Sequence, residues 1–161
     1  MTTTMTPTTP TTPTTARAVP DPVKAASALW FAAVGAGAFE AALAVGQTLS
    51  AGTPFSELAG GLAVRLAIFA AAVFLAVMLR QGRGWARIAL AVSLGVFGTV
   101  SLVIEPIQWL LAGNSAATFL TTADAMTLTF TVSRVLHLAA VLGAMTLMFS
   151  PSANAYFRRK R

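Results

Sequence analysis

Four long apolar runs, at about 26–49, 58–79, 85–111 and 127–149, are separated by short breaks carrying glycine, proline or charge. A helix rises about 1.5 Å per residue, so about 20 apolar residues cross a hydrocarbon core of about 30 Å. Each run is long enough. The pattern predicts an all-α fold, a polytopic bundle of four transmembrane helices over residues 25–150. Small residues recur one turn apart in the first two runs, as Ala33-Gly37-Ala41, Ala38-Ala42-Gly46 and Ala59-Ala63-Ala67-Ala71. Such rows let helix backbones approach closely, so these helices are expected to pack.

The two ends differ in kind. Residues 1–24 are dominated by threonine and proline, with Pro7, Pro10 and Pro13 at the period of polyproline II. With so little apolar surface to bury, they are expected to form a disordered tail. The segment lacks the basic start and apolar middle of a secretory signal. An entropic spacer is the plainer role for it; its threonines are also candidates for phosphorylation. After the last run, Ser150-Pro151-Ser152-Ala153-Asn154 reads as a helix break leading into a basic tail, 151–161, with Tyr156 and Phe157 at headgroup level.

Composition sharpens the picture. Apolar residues make up 56% of the chain and charged ones 10%, against roughly 25% charged in a soluble domain. The absence of cysteine removes disulfides, thiolate nucleophiles and cysteine-based metal or iron–sulfur sites. A net charge of +6 would suit nucleic acid if it formed a patch. Instead Arg17, Lys24, Arg80, Arg83, Arg87, Arg158, Arg159, Lys160 and Arg161, nine of the eleven basic residues, flank apolar runs. Juxtamembrane clusters of this kind set orientation and meet anionic lipid headgroups.

The stretch Arg80-Gln81-Gly82-Arg83-Gly84-Trp85-Ala86-Arg87 is therefore expected to be a cytoplasmic turn. The breaks at 51–57 and 112–126 contain no lysine or arginine and read as the outer side. Both termini are then cytoplasmic, in a multi-pass protein of a bacterial cell membrane whose surroundings are the lipid bilayer, with no nucleic-acid partner.

The remaining polar groups lie inside the runs. Glu40, Arg65, Glu105, Gln108, Arg134 and His137 form a candidate intramembrane polar cluster. An ionisable residue there costs about 2.5 to 3.5 kcal/mol on insertion scales, and points by default to a pathway or a pair. Depth along the helices predicts Glu40 opposite Arg65 and Glu105 opposite Arg134 in the outer half. The crossed arrangement, Glu40 with Arg134 and Glu105 with Arg65, satisfies the same depths. Gly98, Ser101, Glu105 and Gln108 share one helical face, and Pro106 is expected to loosen or kink that helix. A glutamate in the first helix of each half and an arginine in the second suggest two related hairpins. Trp30, Trp85 and Trp109 read as interface markers.

Candidate chemistry is sparse. His137 is the only histidine, too few ligands for a zinc site or a two-histidine haem site. Ser133 stands one turn before it, but no nucleophile elbow surrounds that serine. Gly82 and Gly84 suit a tight turn better than a phosphate loop, because no Lys-Ser/Thr pair follows them. No enzyme activity, metal or cofactor is expected.

The motifs Arg80-Gln81-Gly82-Arg83-Gly84-Trp85-Ala86-Arg87 and Phe149-Ser150-Pro151-Ser152-Ala153-Asn154-Ala155-Tyr156-Phe157 resemble small four-span integral membrane proteins of actinobacteria, a group without an assigned activity. The helix count and the place of Glu40 also resemble the small multidrug resistance transporters, from which the long tail, Arg65 and Arg134 depart. The expected function is a small structural or partner-binding membrane protein, associating with a membrane protein or with itself. The alternative is a small transporter using the embedded Glu/Arg pairs as a proton-coupled or ion-coupled site.

Overall fold

The computed structural model describes residues 18–158. Arg17, Arg159, Lys160, Arg161 and the Thr/Pro stretch up to residue 17 lie outside the described residues. Every regular element described is helical: α1 Asp21–Ser50, α2 Phe55–Arg80, α3 Gly84–Leu111, α4 Ala116–Thr122, α5 Ala125–Met148 and α6 Pro151–Arg158. Of these, α1, α2, α3 and α5 are long and apolar enough to cross a membrane, and they form a four-helix bundle.

Helix starts come earlier than hydropathy alone places them, because polar and proline residues begin the first turns. Pro20 precedes α1, Pro22 sits in its first turn and Asp21 supplies the acidic group favoured there; Lys24 closes on Asp21 at 2.9 Å. Residues 21–24, assigned to the tail by composition, are thus helical. Pro54 precedes α2, and Asp124 caps α5 by accepting the Thr127 N–H at 2.7 Å. Long helices end where glycine takes up the left-handed region: Gly52, Gly82 and Gly113 have φ of 92°, 84° and 87°. After α2, the Arg83 N–H reaches back to the Met78 carbonyl at 3.0 Å, satisfying an orphan acceptor at the helix end.

Two segments expected to be irregular are helical. The break at 112–126 holds α4, capped by Ser115, with Phe119 set edge-on against Trp109 at 5.7 Å between centroids. The break at Ser150 is a single joint, after which Pro151 opens α6. Ala153, Tyr156 and Phe157 are buried against the bundle, where the sequence suggests exposed interfacial rings for the last two.

Packing is uneven along the bundle. α1 is the central element, packed chiefly on α5 and next on α2. The apolar core gathers at the end carrying the start of α1, the Arg80–Arg87 turn and α6, called here the basic end. It includes Val23, Ala26 and Trp30 of α1, Leu79 of α2, Leu90 of α3 and Met148 of α5. Trp30 is fully buried, so it is a core residue and not an interface marker; Trp85 and Trp109 are exposed. Toward the far end the helices part, and the Thr99–Leu111 portion of α3 buries no residue.

Within α3, Ala91–Gly98 is π-helical. There a Cβ on Gly95 would lie 2.5 Å from Met145 Sδ, so a side chain is absent where α3 meets α5. The helix continues through Pro106, which offers no N–H to the carbonyl one turn back.

Candidate functional site

The polar groups inside the spans fall into three separate places. In the first, Arg134 of α5 donates from Nη1 to Glu105 Oε2 of α3 at 2.9 Å, and its guanidinium lies 5.3 Å from the Phe130 ring centroid. This pair borders a cavity of about 550 Å³ toward the far end, between α3 and α5, walled by Trp109, Phe119, Phe130 and Leu138 among others. The Glu105 side chain is 71% exposed and that of Arg134 28%. The Arg134 Nε is buried with no acceptor. Gln108, a turn beyond Glu105 on the polar stripe of α3, is exposed and not brought into this pair.

The second place is the α1–α5 interface. Glu40 is 8% exposed. Its Oε1 accepts from Ser133 Oγ at 3.2 Å and lies 3.4 Å from His137 Nδ1. Close approach makes the contact possible. Gly37, one turn before Glu40, has no side chain, and a Cβ there would sit 3.2 Å from both His137 Cε1 and Phe69 Cε1. Ala33 and Ala41 of the same row are buried, while Ala38, Ala42 and Gly46 are not.

The third place is Arg65. Neither expected pairing of this residue is made. It lines a groove of about 450 Å³ between α1 and α2 with Ala44, Val45, Thr48 and Glu57. Those α1 residues lie one to two turns beyond Glu40 toward the far end. A helical side chain leans toward its own N-terminus, which carries Arg65 farther that way, while Glu40 turns to α5. Arg65 is exposed and forms no ion pair or side-chain hydrogen bond among the described residues. The two hairpins therefore differ: the second-half charges meet and the first-half charges do not.

Ser133 was set aside in the sequence because it lacks a hydrolase motif. Its spacing of one turn from His137 was the available signal, since the two share a face of α5 and meet the same carboxylate.

The basic end carries a polar joint of its own. Arg87 donates from Nη1 to Asn154 Oδ1 at 2.6 Å and to the Met148 carbonyl at 3.4 Å. Its guanidinium lies 4.6 Å from the Phe149 ring centroid and 5.0 Å from that of Phe157. Tyr156 donates to the Arg80 carbonyl at 3.3 Å. Arg87 thus fastens α6 to the bundle and is half-buried, whereas Arg80, Arg83 and Arg158 are exposed.

Among the described residues no group of three or more His, Cys, Asp or Glu is placed to hold a metal ion. No family model matches the chain, and no curated protein or solved structure is detectably similar to it.

Proposed function

We propose that this is a small integral membrane protein that works by docking a second membrane protein, with Arg65 as the charge that its partner answers. The observation that carries the reading is an exposed arginine ten positions into a 26-residue apolar helix, with no ion pair among the described residues; Glu57, which lines the same groove, stands about two turns away in the first turn of α2. Facing lipid, such a group costs about 2.5 to 3.5 kcal/mol on insertion scales. A partner helix bearing a carboxylate removes that cost. Gly61, one turn before Arg65 on the same face of α2, is exposed and gives such a helix room to approach. In the same reading both ends of the chain are cytoplasmic, and Arg80, Arg83 and Arg158 meet anionic headgroups of a bacterial cell membrane. The reading assigns no reaction to the chain.

Photo-crosslinking from position 68, exposed beside Arg65 on the same groove, tests it in the native membrane. The expected result is an adduct to an apolar segment carrying Asp or Glu, identified by mass spectrometry, retained in Arg65→Lys and lost in Arg65→Leu. Adducts to lipid alone at every outward position of α2 would overturn the docking role.

A further inference from the structure

At the centre of the bundle one polar group has no partner among the described residues. Trp30 is fully buried and its indole N–H has no acceptor. It lines a cavity of about 340 Å³ bounded by α1, α2, α3 and α5, together with Ser93, Ser101 and His137. Ser93 donates its hydroxyl to the Ala89 carbonyl at 2.6 Å. Buried donors in folded proteins find partners, and ordered water is the usual one where the chain supplies none. Trp30, Ser101 and His137 are polar groups on its wall that a water there can bond. His137 belongs to both settings, lining this cavity while its Nδ1 faces Glu40 Oε1.

We infer that Glu40, His137 and Ser133 form a proton-binding site in the middle of the bundle, reached through water in the central cavity. This site does not depend on the docking role of Arg65. With its ring proton on Nδ1, neutral His137 donates to the Glu40 carboxylate, and the Ser133 hydroxyl donates to the same oxygen. The lone pair on Nε2 is then the open position. A hydronium in the cavity gives its proton to Nε2 and leaves as water; the site passes from one net negative charge to an imidazolium–carboxylate pair with none. The carboxylate then faces a full positive charge where it faced a neutral donor.

Among the described residues no other charge competes at this position. From α5, Arg134 is turned to Glu105. From α2, Phe69 packs beside Gly37, and Arg65 lies in the α1–α2 groove toward the far end. From α3, the cavity-lining polar residues are Ser93 and Ser101, and neither is ionisable.

The single histidine makes the test specific. The full chain, ¹⁵N-labelled at histidine and reconstituted in lipid nanodiscs, gives one imidazole to follow by NMR, with protons as the only ligand added. Acidification is expected to convert it to imidazolium, with magnetisation transfer from water to the ring. In Glu40→Gln the His137 Nδ1–H resonance is expected to move strongly upfield, because the carboxylate that accepts it has become an amide. An unchanged resonance in that variant would overturn the proposal, and so would a wild-type ring without water contact. If Glu40→Gln does not fold, infrared difference spectra of the wild type carry the test. An imidazolium band that moves with the histidine label, rising on acidification while the carboxylate band persists, supports the site; no label-sensitive change refutes it.

Discussion

Glu40 and His137 face each other across the α1–α5 interface, with Glu40 Oε1 3.4 Å from His137 Nδ1, and Gly37 is the residue that lets them do so. Any side chain at position 37 enters the space of the imidazole and of Phe69. Gly37→Val is therefore expected to lower stability in detergent by about 1 to 3 kcal/mol, the usual cost of overpacking, and to change the His137 NMR environment. Gly95→Ala is the control. Its Cβ meets the flexible end of Met145, which can swing aside, so its effect on the thermal midpoint should be small.

Charge reversal separates the real pair from the expected one. Glu105→Gln alone leaves Arg134 without its carboxylate and should reduce yield and thermal stability, by up to about 2.5 to 3.5 kcal/mol on insertion scales. The double variant Glu105→Arg with Arg134→Glu should recover much of that loss. The corresponding reversal at Glu40 and Arg65 should recover nothing, because Glu40 meets Ser133 and His137 instead. Equal rescue of both reversals in thermal-shift assays would contradict the geometry.

Helix α6 is eight residues long, too short to persist alone, so its order depends on Arg87. Lysine cannot supply the planar fork that bonds Asn154 while lying against Phe149 and Phe157. Arg87→Lys is expected to cost about 1.5 to 3 kcal/mol, seen as amide exchange across α6 faster by roughly tenfold to a hundredfold. Unchanged exchange at Ala153 and Tyr156 would show that apolar contacts alone hold the helix.

Asp124 makes the start of α5 sensitive to acid. The Thr127 backbone N–H it accepts holds its carboxyl below the ordinary value, with the Thr127 side chain adding to the effect. A depressed folded-state pKa contributes stability that is present above the unfolded value and lost as pH falls through the folded one. Amide protection at Thr127 is expected to drop over that acidic interval in the wild type. In Asp124→Ala it should be low at all pH values.

What the sequence by itself determined is the set of four apolar helices and the charges set between and within them. Each long helix is specified locally by run length, with proline and acid at the start of α1 and α2, the Asp124 cap before α5, and glycine just past the ends of α1, α2 and α3. The pairing of Glu105 with Arg134 was also legible, because matched depth on helices that become neighbours is enough when both residues face the gap. Tertiary structure decided the rest. Depth says nothing about rotation, so the sequence left Glu40 facing Arg65; the packing of α1 on α5, enforced at Gly37, turned Glu40 to Ser133 and His137. Trp30 and Phe157 read as interfacial because aromatic rings suit a headgroup layer, yet α6 folds back and encloses both the end of the bundle and its own rings. A short helix after a proline break carries too weak a local signal to be seen, and only its contacts with Arg87, Arg80 and Met148 make it stable.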